Sequence, residues 1–354
     1  MSQALELSDW MRNAGASLSW HGPQGIGESE GFGGVVPVIF SKPNPPQDQC
    51  YITSPKIAWF EYAALELEHQ WCLSWILLRL GRVANALGLS HQCVIGNFPI
   101  STVVWTGREM ECMPTVCSWV EQSMPDRFLF VRNVRLEQHA ELVHELKAQG
   151  FYALPARVVY EFDLRQEPKK YASQLLRDMK SSAKLGLKSR VLTHLSEEES
   201  EHLQLLYEGI YIRKHGPYNA QYTPRFFSDM VNQGWMSCLV IQNEDETTRA
   251  FALLHRVGET LTVPALGYDP REPEIGLYRA LFVEIFRHAL QHQLLLNYSS
   301  GAGDFKRKRG GQPRLEYTLV KAPRSFLHWK SKLLQRLQAW SSGLGHEDLM
   351  SWGA

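Results

Sequence analysis

Residues 297–317 read NYSSGAGDFKRKRGGQPRLEY. A strand-like stretch runs into the small residues Ser299, Ser300, Gly301, Ala302 and Gly303. A basic tetrad follows, Lys306, Arg307, Lys308 and Arg309, and then two glycines. Small residues let a ligand approach the backbone, and glycine permits positive φ. Backbone N–H groups exposed in such a bend, beside Lys and Arg, suit a phosphate or a carboxylate. The competing reading is a solvated basic loop between two strands.

Two further stretches concentrate polar chemistry. YIRKHGPYNAQYTPRFF (211–227) places Lys214, His215, Asn219, Gln221 and the tyrosines Tyr211, Tyr218 and Tyr222 around a Gly-Pro turn. Hydrogen-bonding aromatics on a loop often line a pocket, and a histidine there titrates near neutrality and suits a general base. Surface decoration is the alternative for a single loop histidine. PALGYDPREPEIGLYRALF (264–282) ends a strand at Gly267-Tyr268-Asp269 and enters a helix near Gly276, ahead of Tyr278 and Arg279. The unpaired N–H groups and positive end of that helix would seat a pyrophosphate. The turn EPEIG carries one glycine and two acids, so a plain strand-to-helix turn competes with that reading.

The rest of the chain excludes more than it adds. Lys plus Arg and Asp plus Glu both count 37 in 354 residues, which argues against a general nucleic-acid coat, DNA included. At 44% hydrophobic and 21% charged residues the chain can build a core. Its six cysteines form no CxxC pair and have no zinc-ligand spacing, so they read as reduced thiols of a cytoplasmic protein. His288 and His292 sit at i, i+4 without a third ligand, and no metal is expected. GxxxxGK[ST], HExxH and GxSxG are absent, and the glycine-rich 22–34 reads as a loop. No run reaches the ~18 apolar residues of a membrane helix, and the N-terminus does not read as a signal peptide.

In the first half, 35–40 and CYIT (50–53) read as strands of a hairpin, and 59–87 reads as one or two helices. Strands follow near 93–100 and 126–133, then an amphipathic helix over 136–149 and a strand over 153–164. Residues 165–188 read as a basic helical link. Strand RVLTHL, a helix with a capping box at Ser196 and Glu199, and a helix entered at Thr223-Pro224 come next. Strands SCLVIQN, RAFALLHRV and GETLTVPALGYD, helix 275–293, and strands LLLNYSS and LEYTLVKA complete the order. The fold class is α/β (α+β), a mixed sheet flanked by helices. In the second half the element order is that of the GNAT fold, whose sheet splays in the middle around an acyl donor. The first half reads as a worn second copy, giving two GNAT-like halves in tandem: 1–165, 166–322 and a tail at 323–354.

The stretches 179–191, 206–227, 263–281 and 296–320 resemble a bacterial group of GNAT-fold proteins. These are allied to the Fem-type aminoacyl transferases and the BioF2-like acyltransferase domains. Residues 51–63 and 131–151 match more loosely. The resemblance implies attack of a small-molecule or peptide amine on a thioester or ester carbonyl. The co-substrate would be acyl-CoA, an acyl carrier protein or aminoacyl-tRNA, with no tightly bound cofactor. It implies His215, Tyr222 and Ser299 as catalytic, Ser299 near the oxyanion. Lys214, Tyr218 and Asn219 would orient substrates, with Tyr268, Asp269, Gly276, Tyr278 and Arg279 on the donor. Asn297, Lys306, Arg307 and Arg309 would hold the anionic part, so Lys306→Ala or Arg309→Ala should abolish transfer with the fold intact. The alternatives are tRNA-dependent aminoacyl transfer and a binding protein that kept the fold without the chemistry. The basic amphipathic 321–340 would touch a membrane, dock a carrier protein, or pack on its own domain.

Overall fold

The computed structural model describes residues 16–20, 36–41, 50–67, 69–96, 100–168, 170–213, 216–271 and 276–324, together with Lys332, Gln335, Arg336 and Gln338. Lys214, His215, the glycine-rich 22–34, the turn 272–275 and most of 325–354 lie outside them, as does nearly all of the amphipathic segment expected to touch a membrane. The chain divides into two compact units. One comprises Met1–Ala156, His215–Gln221 and Glu316–Gly345; the other comprises Arg157–Lys214, Tyr222–Leu315 and His346–Ala354.

The first unit opens with β1 (Ala16–Trp20), β2 (Pro37–Ser41), the π-helical α1 (Ile57–Tyr62), α2 (Ala63–Glu66) and α3 (Trp71–Ala86). β3 (Gln92–Ile95), α4 (Gly107–Ser123), β4 (Phe128–Val134), α5 (Ala140–Ala148) and the start of β5 (Tyr152–Asp163) follow. Its strands run in the order β1, β2, β3, β4 and then the end of β12 (Gln312–Lys321); β3 and β4 are parallel and the other pairs antiparallel. Every residue of β4 is buried, as the continuous apolar run FLFV demands of a strand covered on both faces. Val38, Cys93, Ile95, Leu129, Val131 and Leu319 pack with residues of α4 and α5 into one core.

Two elements here differ from expectation. CYIT is a turn, because the buried Arg132 of β4 donates from Nη1 to the carbonyls of Tyr51 (3.0 Å) and Ile52 (2.7 Å) and draws that backbone out of any ladder. β2 therefore pairs with β1 and β3. The sequence reading also passed over α4, whose interior holds Pro114; a capping box of Thr106 and Glu109 nucleates it.

The second unit contains the rest of β5, α6 (Ser173–Ser182), β6 (Lys188–Leu192), α7 (Glu197–Tyr211), α8 (Pro224–Asn232), β7 (Ser237–Gln242) and β8 (Thr248–Val257). β9 (Thr260–Thr262), β10 (Leu266–Tyr268), α9 (Leu277–Gln291), β11 (Leu295–Asn297), the one-turn α10 (Gly303–Arg307) and the start of β12 complete it. Its sheet order is β5, β11, β9, β8, β7, β6; β11 and β9 are parallel and the other pairs antiparallel. Alternation along β8 sends Ala250, Ala252 and Leu254 into the core built on Leu281, Phe282, Ile285 and Phe286 of α9. Phe251 faces the other way, onto Phe227 of α8. The Ser196–Glu199 capping box and Pro224 at the first turn of α8 stand as read from the sequence. In 165–188 only Ser173–Ser182 is helical, and the basic tetrad that was read as a loop begins on α10.

His139 is buried in the first unit and its Nδ1 accepts from the Arg135 amide at 3.1 Å, so the fold holds it neutral. Burial, with Arg135 adding to it, pulls its pKa from 6.5 down to about 4. His255 in the second unit is lowered by burial as well. The unfolded chain binds more protons between those values. The stabilisation is thus complete above pH 6.5 and is lost as pH falls toward 4. The melting temperature should fall through that window, and His139→Gln should flatten the fall in thermal scans.

Candidate active site

The chemistry expected of this chain needs an opening in a sheet, and the second unit has one. β9 pairs with β11 over Thr260–Thr262 and Leu295–Asn297. After the break at Val263–Ala265, β10 pairs with β8 alone among the described strands. The strand leaving β11 stays with β5 instead: the Tyr298 amide donates to the Tyr160 carbonyl (2.9 Å), and the Tyr160 amide to that of Ser299 (3.1 Å). The sheet therefore parts between β10 and residues 298–299. The expected single strand GETLTVPALGYD is thus two strands, and the break between them makes the opening.

Tyrosines gather there. Tyr268 of β10 lies 5.8 Å, ring to ring, from Tyr278 of α9, which in turn lies 4.8 Å from Phe305 of α10. Tyr298 stands edge-on to Phe282 at 5.1 Å. Its side chain is 4% exposed, and among the described residues its hydroxyl makes no close hydrogen bond, the Tyr278 phenol being its polar neighbour. Burying a hydroxyl without a partner is costly, and such groups cluster where a ligand supplies the missing bond. Burial first, and then the nearby Tyr278 and Tyr211, raise the Tyr298 pKa; burial pushes Tyr278 up to about 12. Both phenols are donors at neutral pH. The sequence gives Tyr298 no role, because an unpaired hydroxyl is a property of packing that composition does not display.

Lys306 fixes the turn beside this cluster. Its Nζ donates to the carbonyls of Tyr298 (2.7 Å), Ser299 (3.1 Å) and Ser300 (2.8 Å), and it lies 5.0 Å from the Tyr298 ring centroid. All three ammonium protons are thereby used. Burial, reinforced by Arg157, pulls its pKa down to about 7, while the three acceptors and the ring face favour the protonated form. Ser299 is held left-handed (φ 58), its amide donating to Asn297 Oδ1 at 3.0 Å. Arg309 is buried against Asp178, over the Phe305 ring at 3.4 Å, and donates to the Phe305 carbonyl at 2.7 Å. The expectation that Lys306 and Arg309 face a bound anion is corrected on this point. Three and six residues past Gly303, they share the inward side of one helical turn, where burial demands internal partners. The glycine pair is explained by packing too: Gly310 caps the turn at φ +95, and a Cβ on Gly311 would stand 2.8 Å from Phe162.

Other cations around the site, Arg307 and Arg279 among them, reach solvent. Arg307 donates to the Tyr160 hydroxyl at 2.8 Å and pairs with Asp304. Arg279 is exposed, and its guanidinium folds over Gly276, the left-handed N-cap of α9 (φ 73); a Cβ there would meet it at 2.8 Å. Asp269 is turned inward onto Arg271 (2.6 Å) and Arg249 (3.5 Å), and the Arg271 bonds lead in holding its pKa down to about 2. It braces the turn out of β10 rather than offering a free carboxylate. Asn297 belongs to a buried polar row read across the sheet by register: Glu161 of β5, Asn297 of β11, Thr262 of β9 and His255 of β8. Arg314 pairs with Glu161 at 3.5 Å.

Tyr222 does not reach the opening as a free hydroxyl-bearing loop residue. It is 2% exposed, stacked on Phe226 at 3.9 Å and packed with Tyr207 and Phe227, so its ring serves the core under α7 and α8. Tyr218 and Asn219 belong to the first unit. There the Tyr218 carbonyl accepts from the Tyr51 amide (2.9 Å), and Asn219 Nδ2 donates to the Gly216 carbonyl (3.2 Å). Tyr268, Tyr278, Asn297, Ser299 and Lys306 are the expected site residues that the second unit brings to one place.

These contacts set the outcome of substitution. Arg309→Ala leaves Asp178 charged and unpaired in the interior, at a cost of about 3–5 kcal/mol. Lys306→Met keeps the aliphatic bulk but takes the ammonium from the Tyr298 and Ser300 carbonyls and leaves that of Ser299 with the Tyr160 amide, at about 1–3 kcal/mol for each orphan that water does not reach. Both variants should unfold at clearly lower denaturant concentration than the parent, whereas Lys308→Ala, at an exposed position, should match it. Urea titration followed by circular dichroism checks the ranking.

Residues 169–309 match the family model described as Acetyltransferase (GNAT) domain. No curated protein is similar enough in sequence to match the chain. Among solved structures the chain is similar to L-PGS from Bacillus licheniformis, with a TM-score of 0.54 at 13% identity over 95% of this chain and 96% of that one. It is also similar to FemX, with a TM-score of 0.51 at 10% identity over 95% of this chain and 92% of that one. At such identities the likeness is one of fold, and it takes in nearly the entire chain. This chain accordingly carries a GNAT domain over residues 169–309, within a fold of mixed sheet and flanking helices that it shares with L-PGS and FemX.

Proposed function

We propose that the protein is an N-acyltransferase that moves an acyl group from a thioester or ester carrier to an amine, with the carbonyl seated in the opening between β10 and residues 298–299. The observation that carries this reading is the buried, unpaired hydroxyl of Tyr298 at that opening. As the amine adds to the carbonyl, negative charge builds on the carbonyl oxygen. A preorganised phenol donor in a water-poor site stabilises that charge without reorganisation. The C–N bond forms, the carrier's C–S or C–O bond breaks, and the amine's proton ends on the departing sulfur or oxygen. Lys306 holds the turn carrying Tyr298 and Ser299, and so acts on the reaction through their position.

The donor is a co-substrate and not a resident cofactor. The N-terminus of α9, where the left-handed Gly276 sets no side chain over the first amides and Arg279 folds over it, suits a phosphate-bearing carrier: acyl-CoA or the phosphopantetheine arm of an acyl carrier protein. A second reading keeps the chemistry and takes aminoacyl-tRNA as donor. The likeness to FemX over 95% of the chain favours it, given the resemblance of the motifs to Fem-type transferases. The acceptor in either case is a small-molecule or peptide amine.

Single-turnover transfer from labelled acyl-CoA, acyl carrier protein and aminoacyl-tRNA to an amine panel separates these readings, and a lack of transfer from all three would leave a binding protein on a GNAT fold. With the donor in hand, Tyr298→Phe should lower kcat about a hundredfold without lowering the melting temperature, since it removes a hydroxyl that folding leaves unpaired. Parental turnover in Tyr298→Phe would refute the assignment. Arg279→Ala should raise KM for a phosphate-bearing donor about tenfold with kcat little changed.

A further inference from the structure

Helix α3 is built inside out. Its inward positions are Ser74, Leu77, Gly81 and Ala84, spaced i, i+3, i+7, i+10. Gly81 is its buried residue, and a Cβ there would meet the Phe60 side chain at 2.9 Å. The outward positions carry the bulk. Trp71 is 76% exposed, Trp75 56%, Val83 55% and Ile76 44%, with Leu73, Leu78 and Leu80 on the flanks at 43–49%. A helix docked on a protein and facing water places its large apolar residues inward. Here three of the four inward residues are small, and the tryptophans face out. That is the pattern of a helix whose outer face meets an apolar phase.

The charges say which phase. The helix WCLSWILLRLGRVANA contains no carboxylate, and its two cations, Arg79 and Arg82, are exposed on the same outward sector as the tryptophans. The Arg79 guanidinium lies 4.8 Å over the Trp75 ring. Tryptophan and arginine together suit the headgroup level of a bilayer: the indole takes the boundary and the guanidinium takes a phosphate. A second copy of this chain is the poorer partner. A two-fold contact through this face would set Arg79 and Arg82 against their own copies with no acid on the helix to neutralise them. Sixteen residues rise about 24 Å, short of the ~30 Å hydrocarbon core, and no described helix is long and apolar enough to cross a membrane. A membrane contact through this face would lay the helix in the plane of the surface.

We infer that α3 is an interfacial membrane helix that seats the protein on anionic lipid through Trp71, Trp75, Ile76 and Val83, with Arg79 and Arg82 on the headgroups. This goes beyond the transfer reaction and holds whichever donor that reaction uses. The test is flotation of the full chain with vesicles of phosphatidylglycerol and phosphatidylcholine, and with phosphatidylcholine alone. The parent should float with the anionic vesicles and release as salt rises. Trp71→Ser/Trp75→Ser should bind at least about tenfold more weakly with an unchanged melting curve, since both side chains are exposed. Arg79→Gln/Arg82→Gln should lose the preference for anionic vesicles while keeping its fold. The inference is overturned if the parent does not float, if the tryptophan variant floats as the parent does, or if the parent sediments as a dimer that the tryptophan substitutions dissociate.

Discussion

The ammonium of Lys306 and the carbonyls of Tyr298, Ser299 and Ser300 form the contact on which the second unit's site depends. A sheet that parts in its middle leaves backbone groups without a ladder, and buried carbonyls need partners. At this parting the acceptors belong to three consecutive residues, and one side chain satisfies them all. The turn is thereby held in a conformation that non-glycine residues seldom adopt, with positive φ at Ser299 and Ala302. Holding it there is what keeps the Tyr298 ring against Phe282.

Charge in this unit is divided by depth. Arg309 with Asp178, and Arg249 with Asp269, pair in the interior, while Arg271 reaches the same Asp269 from solvent: the first pair anchors the turn after α10 to α6, and the second closes the turn out of β10. A buried ion pair adds little net stability, but it makes its geometry costly to abandon. Cations that stay toward solvent, Arg307 and Arg279 among them, are left to meet a ligand. Rigid support and recognition therefore fall to different members of what looks, along the chain, like one basic cluster.

The first unit distributes its surface differently. Its core lies under α4 and α5, where alternating strand residues are covered, while α3 turns small residues to the protein and large apolar ones away from it. A helical hydrophobic pattern shows only that one face is apolar. Which face is docked depends on what stands opposite, here Phe60 against Gly81.

Local signals settled the elements that local physics governs. The capping box at Ser196 and Glu199, proline at the start of α8 and the apolar periodicity of α9 act within a turn or two of chain, so they were legible without coordinates. The element order of the second half carried the GNAT layout for the same reason. What required tertiary structure is every property defined by a distant partner. CYIT became a turn because Arg132, some eighty residues on, takes its carbonyls. Lys306 and Arg309 became internal supports because α10 and the turn after it aim them inward, and Tyr222 became core because Tyr207 and Phe226 enclose it. Tyr298 became the candidate donor because its hydroxyl is buried without a close hydrogen bond, beside the Tyr278 phenol. A residue's type fixes which bonds it can make, and only packing decides which of them are already made.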